Sequence, residues 1–320
     1  MTKLIIQIPC FNEEKSLPVT LQELPRKLPG VDVIEWLIID DGSSDRTVEV
    51  ASGLGVNHVV RLIRHQGLAK GFMAGIQACI ELGADIIVNT DADNQYFAGD
   101  ISKLVQPILD GKAEIVVGAR PISEIKHFSP IKKLFQKLGS WMVRKVSQTD
   151  IEDAPSGFRA ISREAAMRMH VFSEYTYTIE TIIQAGQKGM AIMSVPIRTN
   201  DFLRKSRLIH SIPAYLSRSI NTILRIFMTY QPLAFFRIPG MISFGIGLLF
   251  GLRFLYFYLV TRTSSGHIQS LILAAVLLIL GVLLFTFGLM ADLISVNRKL
   301  LENVEYRIQR LDEKIGKNSK

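Results

Sequence analysis

Two apolar stretches near the C terminus limit what this chain can fold into more than any other feature. Residues 238–260 (IPGMISFGIGLLFGLRFLYFYLV) carry one charge, Arg253, and residues 271–291 (LILAAVLLILGVLLFTFGLMA) carry none. About 20 consecutive apolar residues cross the hydrocarbon of a bilayer as a helix, so two transmembrane helices are predicted within a segment spanning 233–294. The link between them, TRTSSGH, holds one arginine, whereas residues 295–320 hold Arg298, Lys299, Arg307, Arg310, Lys314, Lys317 and Lys320. Basic residues near spans stay cytoplasmic, so both ends of the chain are expected in the cytoplasm, with a basic helical tail at 295–320. The opening MTKLIIQIPCFNEE meets charge too soon to read as a secretory signal.

Residues 1–210 read differently. Strand-length apolar runs recur at LIIQIP (4–9), WLIIDD (36–41), HVVRLI (58–63), DIIVNTD (85–91) and EIVVGAR (114–120), with helical segments between them. Runs that are continuously apolar mark strands buried on both faces, and alternation with helices makes the sheet mainly parallel. The expected fold is therefore a doubly wound, Rossmann-like α/β domain. Helix starts are expected at Ser16, with Pro18 in the first turn, and at Ser44, with Asp45 near the helix N terminus. After Arg120 come a basic helix (PIKKLFQKLGSWMVRKV), a polar stretch (QTDIEDAPSG), a short strand (FRAIS), two helices and a final strand in MAIMSVPIR.

Between the α/β domain and the spans, residues 211–232 are expected to form an interfacial amphipathic helix. Ile212, Leu216, Ile220, Ile223, Leu224 and Phe227 fall at helical spacing, and Arg218 and Arg225 lie seven apart. Beyond the spans, Leu300, Val304, Ile308, Leu311 and Ile315 make a second stripe, compatible with a coiled coil or docking helix, which leaves homo-oligomer formation open. The net charge of +8 and pI near 9.4 come largely from Arg198–Arg225, just before the first span. That placement suits anionic headgroups or a phosphate ligand, and with no nucleic-acid motif present, no nucleic-acid partner is expected. Cys10 and Cys79 have no metal-ligand spacing and read as small buried thiols.

Ligands of open parallel sheets bind beyond the carboxyl ends of the strands. The chain has no GxxxxGKS, so it holds no P-loop site, and its first strand turns through PCFNEE rather than GxGxxG, which argues against a dinucleotide fold. What the strand ends carry instead is acid: Glu13 and Glu14, Asp40 and Asp41, Asp91 and Asp93. Hard cations such as Mg²⁺ or Mn²⁺ take oxygen ligands and complete their shell with water and substrate phosphates. On an extended segment, residues two apart face one way, so Asp91, Asp93 and Gln95 can face one metal. Taken alone, a DxD at a strand end reads more readily as a polar turn or helix cap.

The order PCFNEE (9–14), IIDDGSSDRT (38–47), GLAKGFMAGI (67–76), DADNQY (91–96), GAR (118–120) and DAPSGFRAIS (153–162) resembles the GT-A glycosyltransferases of family 2. Within them it is most similar to the polyprenyl-phosphate sugar transferases, the group of dolichyl-phosphate mannose synthase, in its branch with two C-terminal spans. The resemblance covers residues 3 to about 200. It implies that Pro9, Phe11 and Glu13 hold the nucleotide base and ribose, that Asp41 contacts the nucleoside and that Lys70 approaches the donor. It also implies that Asp91, Asp93 and Gln95 hold the metal and diphosphate. For the acceptor phosphate it implies Arg120, Lys132, Arg204 and Arg207, with Lys132 standing where relatives carry arginine. Asp153 is implied near the reacting centre, as a base or as an orienting group. The chain departs from the family's DADLQHPPE at Asn94 and at Phe97, Ala98 and Gly99, beside the donor sugar.

The resemblance implies inverting, metal-dependent transfer of one sugar from a UDP- or GDP-sugar to polyprenyl phosphate on the cytoplasmic membrane face. Alternatives are a transferase to another lipid or a polysaccharide synthase, although no QxxRW follows the domain. A non-catalytic, membrane-anchored nucleotide-sugar sensor is the alternative of another class.

Overall fold

The computed structural model describes residues 1–121, 139–141, 143–171, 177–200, 224–225, 228–261 and 268–318. Two compact units are present, Met1–Ser217 with Gln309–Lys320, and Arg218–Ile308. The first holds seven strands: β1 (Lys3–Cys10), β2 (Val33–Asp40), β3 (His58–Arg61), β4 (Ile86–Asn89), β5 (Ile115–Ala119), β6 (Arg159–Ser162) and β7 (Ile192–Pro196). All seven expected strand segments form strands, in a single sheet ordered β3-β2-β1-β4-β6-β5-β7. β1 pairs in parallel with β2 and β4, β2 with β3, and β5 with β7. β6 runs antiparallel between β4 and β5.

The continuous apolar runs do what that pattern requires. Leu4, Ile6, Ile8 and Ile38 bury one face of the sheet with Leu17 and Leu21 of α1 (Leu17–Glu23) and Ile101 and Leu104 of α4 (Ile101–Leu109). Ile5, Leu37 and Ile39 are fully buried on the other face. There α3 (Leu68–Glu81) lies so close that a Cβ on Gly75 would stand 2.7 Å from Ile39 Cδ1. Each such aliphatic side chain withdrawn from water contributes about 1.5–3 kcal/mol. The remaining helices of this unit with described bounds are α2 (Thr47–Gly53), α5 (Arg163–Met167) and α6 (Thr178–Gln187).

Local starts differ in detail from expectation. α1 begins after Ser16, with Pro18 in its first turn, but the Ser16 hydroxyl donates to the Glu13 carboxylate instead of capping the helix. α2 begins at Thr47, not beside Ser44. Residues 43–46 are used to bind the first turn of the sheet: the Ser44 N–H donates to Asn12 Oδ1 (2.8 Å), and Asp45 accepts from the Glu14 N–H (3.1 Å).

The second unit holds α7 (Pro232–Thr261) and most of α8 (Ile268–Asn318). Both are long and apolar enough to cross a membrane, with mean hydropathies of 1.8 over Pro232–Val260 and 2.9 over Ile268–Leu311. Glycines let the two backbones approach: a Cβ on Gly247 would stand 2.9 Å from Leu278 N, and the Ser243 hydroxyl donates to Leu277 O (2.9 Å). α8 runs on without interruption through the residues expected as a basic helical tail, as far as Asn318. Most of the expected interfacial helix lies outside the described residues, as do Lys132, Arg204 and Arg207. Residues 224–225 and 228–230 of that segment are helical, and so are 139–141 and 143–146 of the expected basic helix.

Candidate active site

From β1 the sheet grows one way through β2 to β3 and the other way to β4, so strand order reverses between β1 and β4. The crevice beyond their carboxyl ends is where an open α/β sheet takes its ligand. Its walls are the turns leaving β1, β2 and β4, together with the segment entering β6.

The first two turns are laced together. Asn12 adopts a left-handed backbone (φ +54°), and its N–H donates to Ser43 Oγ (2.9 Å), while the Glu13 N–H donates to Thr47 Oγ1 (2.9 Å). Pro9 and Phe11 are half-buried and Glu13 is buried. Asp41, expected to contact the nucleoside, has both oxygens on the β3–α3 loop. Oδ1 accepts from the Gln66 N–H (2.7 Å), and Oδ2 accepts from the Gly67 N–H (2.8 Å) and meets His65 Nδ1 (2.8 Å). Gly42 (φ +72°) permits this approach, since a Cβ there would stand 2.7 Å from His65 N. The imidazole so placed stacks on Phe11, with ring centroids 4.0 Å apart. His65 escaped the sequence reading because its partners lie 24 and 54 residues away; Lys70 is exposed in the first turn of α3.

After β4 the chain turns at Ala92–Asp93 and takes a left-handed step at Asn94 (φ +56°), so it is not the extended segment expected. The turn still leaves Asp91, Asp93 and Gln95 half-buried and sinks Ala92, Asn94 and Tyr96. The Thr20 hydroxyl donates to Ala92 O (3.0 Å), and the Gln95 N–H donates to Asp93 Oδ1 (3.2 Å). The Asp91 carboxylate lies over Gly157: a Cβ there would be 3.2 Å from Oδ1 and 2.9 Å from the Tyr177 hydroxyl. Gly157 donates its N–H to Tyr96 Oη (3.0 Å), and its carbonyl accepts from Asn89 Nδ2 (2.8 Å). Asn89 in turn donates to Tyr177 Oη (2.9 Å) and accepts from Gln7 Nε2 (2.9 Å). Burial first, and then the field of Asp91, push both phenols up, so Tyr96 and Tyr177 stay protonated.

Arg120 and Asp153, assigned separate tasks by the sequence, form one buried fork. Arg120 Nε donates to Asp153 Oδ2 (2.7 Å) and Arg120 Nη2 to Oδ1 (3.0 Å). The Arg120 N–H also donates to Oδ2 (3.2 Å). Beneath them Arg159, fully buried, donates to the carbonyls of Ser156 (2.8 Å) and Ala154 (2.9 Å), holding the turn that presents Asp153 and Gly157. Burial lowers the Arg159 pKa. An arginine entering a strand carries no local pattern that reveals such a role.

The turn after β4 has a second clamp. After β7, the Asn200 N–H donates to Gln95 O (2.9 Å) and its side chain to Asn94 O (3.1 Å), while Tyr96 and Thr199 make an isolated antiparallel bridge. The Arg198 N–H and guanidinium both reach Asp100 (2.7 Å each), and the same guanidinium covers the Phe97 ring at 3.9 Å. Burial opposes ionisation of Asp100, but Arg198 and Lys103 outweigh it and bring its pKa down to about 2.

Among the described residues, no three His, Cys, Asp or Glu side chains converge on one point. Asp41 is held by the β3–α3 loop and Glu14 accepts from the Arg46 N–H, while Asp91, Asp93 and Gln95 stand together on the turn after β4. Two carboxylates and an amide suit a hard divalent cation that keeps most of its shell for water and phosphate oxygens. Both cysteines are free and buried, as read from the sequence, and burial raises the Cys10 thiol.

The glycosyl transferase family 2 profile matches residues 5–175. A UDP-N-acetylglucosamine–dolichyl-phosphate N-acetylglucosaminyltransferase of Methanococcus voltae is 33% identical over 217 residues, covering 60% of this chain and 83% of that protein. A polyprenol monophosphomannose synthase of Mycolicibacterium smegmatis is 25% identical over 204 residues, covering 60% and 76%. Among solved structures, glucosyl-3-phosphoglycerate synthase of Mycobacterium tuberculosis, in complex with Mn²⁺ and UDP, superposes with a TM-score of 0.55 at 19% identity, covering 71% of this chain and 79% of that one. Sheet order, the acidic turn after β4 and these matches agree: the chain is a GT-A glycosyltransferase and belongs to glycosyl transferase family 2.

Proposed function

We propose that the protein transfers one sugar, with inversion, from a UDP- or GDP-sugar to polyprenyl phosphate at the cytoplasmic face of a membrane. The observation that carries this reading is the Asp91–Asp93–Gln95 turn at the β1/β4 switch point, opposite a buried Arg120–Asp153 fork, in a chain that also has two span-length apolar helices. The relatives named as dolichyl-phosphate and polyprenol transferases support the acceptor class.

In this reading the nucleoside lies along the laced turns, against Pro9, Phe11 and Glu13, with Asp41 shaping the wall by holding His65 and Lys70 near the donor. Asp91, Asp93 and Gln95 would hold Mg²⁺ or Mn²⁺, which supplies positive charge to a departing diphosphate. An oxygen of the acceptor phosphate attacks the anomeric carbon as the bond from that carbon to the diphosphate oxygen breaks. The products are a sugar phosphate diester and a nucleoside diphosphate. A phosphate monoester with a second pKa near 6 is already dianionic, so no proton need be removed.

Asp153, with both oxygens engaged by the Arg120 fork, is an orienting group in this scheme. It aims the remaining Arg120 N–H groups at the acceptor phosphate, geometry for which guanidinium is suited. Lys132, Arg204 and Arg207 would add charge at the membrane face, and the interfacial segment would hold the lipid phosphate at that height.

The test is to incubate the purified protein with a polyprenyl phosphate, Mn²⁺ or Mg²⁺ and a panel of UDP- and GDP-sugars, scoring an alkali-characterised sugar-phosphate lipid. One donor should give product, and Asp93→Asn should lower the rate about a hundredfold or more. No product across the panel, or full activity in Asp93→Asn, overturns the reading.

A further inference from the structure

At about 1.5 Å per residue the 51 residues of α8 extend roughly 77 Å, and a bilayer core takes up only about 30 Å of that. The helix therefore continues well past any span, and its continuation carries a regular repeat. Leu301, Val304, Ile308, Leu311 and Ile315 recur at alternating steps of three and four, the a and d positions of a heptad. All five side chains are exposed, from 52% for Ile308 to 70% for Leu301. The polar side of the helix carries the contacts within the chain: Glu302, at b, is buried and pairs with Arg298 (3.5 Å), whose guanidinium covers the Tyr230 ring at 4.7 Å. An outward apolar seam with an inward polar face is the reverse of a helix that finishes its packing within its own chain.

The flanking charges identify the occupant. In this register Glu305 and Asp312 fall at e, and Arg307 and Lys314 fall at g. Two parallel copies bring g of one helix to e of the next heptad on the other, pairing Arg307 with Asp312 twice across the seam. Antiparallel copies would set acid against acid and base against base. Two chains anchored in one bilayer in the same sense can only be parallel, which is the arrangement the charges select. A helix preformed as the extension of a span also avoids the nucleation cost that makes short isolated helices marginal.

We propose that residues 301–315 of α8 form a parallel, two-stranded coiled coil with a second copy of this chain. The dimer is independent of the sugar and the acceptor. Both native cysteines are buried, so introduced ones report on the seam alone. In full-length protein in liposomes, mild oxidation of Val304→Cys, Ile308→Cys and Leu311→Cys should each give a same-residue disulfide dimer about tenfold faster than Asn303→Cys, which falls at c. In the Ile308→Cys background, Arg307→Glu should slow dimer formation about tenfold, and adding Asp312→Arg should restore it.

Equal rates at 303, 304, 308 and 311 would overturn the proposal, since they indicate chance collision. Reaction confined to one of the seam positions would overturn it in favour of an antiparallel crossing. Slow reaction at every position, unaffected by Arg307→Glu, would overturn it in favour of a seam that lies on lipid.

Discussion

At Gly157 four groups meet within hydrogen-bond or contact distance: the Tyr96 hydroxyl, the Asn89 amide, the Tyr177 hydroxyl and the Asp91 carboxylate. A methyl group there has no free space, and neither Tyr177, stacked on Phe72 at 3.8 Å, nor the fully buried Asn89 can give way without cost. The softest neighbour is the half-buried Asp91, so Gly157→Ala should displace its carboxylate. The expected result is Mn²⁺ affinity weakened about tenfold or more, read directly by paramagnetic resonance titration, with little loss of secondary structure. Unchanged Mn²⁺ binding would show that Asp91 is not set by this turn. The sequence exposed the Asp-Ala-Asp turn because its residues are adjacent. It did not expose Asn89, Tyr177 or Arg159, whose partners lie tens of residues away, and it split Arg120 from Asp153 because residues 33 positions apart give no sign of a shared fork.

Between elements, the segment after β7 behaves as a strap over the Asp91–Gln95 turn. The sequence marked Phe97–Gly99 as a departure from the family pattern, and the structure gives the reason: the Phe97 ring fills the space beside Gly99 and lies under Arg198. A Cβ on Gly99 would meet that ring at 2.4 Å. Arg198→Ala should therefore free the strap and weaken both donor binding and Mn²⁺ binding, with Arg198→Lys recovering only part because it loses the planar cover on Phe97. The same strap has a pH signature. Asp100 is depressed from 3.8 to about 2, so its contribution is complete above about pH 4 and is lost as pH falls toward 2. Because Arg198 is 62% exposed, solvent screening keeps that contribution below about 2 kcal/mol. Acid titration of the unfolding midpoint should fall less steeply between pH 4 and 2 in Asp100→Asn than in the parent; parallel curves would remove Asp100 from the account. Strand positions were readable because buried parallel strands leave continuous apolar runs, whereas the antiparallel sense of β6 was not, since four residues, Arg159–Ser162, look the same in either direction.

For the whole molecule, the decisive question is which side of the membrane each part occupies, and the charge distribution makes a definite prediction. The link after α7 contains only Arg262 and His267 as basic residues, while the stretch from Arg298 to Lys320 contains seven arginines and lysines. Moving that tail outward would carry every one of those charges across hydrocarbon, at about 2.5–3.5 kcal/mol for each residue held at the bilayer centre. The link crosses with one permanent charge. Single cysteines at Ser265, in the link, and at Asn303, beyond the second span, can be tested with a membrane-impermeant maleimide on intact cells, the buried native thiols staying silent. Ser265→Cys should label from outside, and Asn303→Cys only after the cells are opened. Because α8 runs without a break from Ile268 to Asn318, labelling of both positions from outside would be incompatible with a single crossing by that helix. Reversed labelling would place the Asp91–Asp93–Gln95 turn on the side away from cytoplasmic nucleotide sugars, and the proposed donor would have to be abandoned with it.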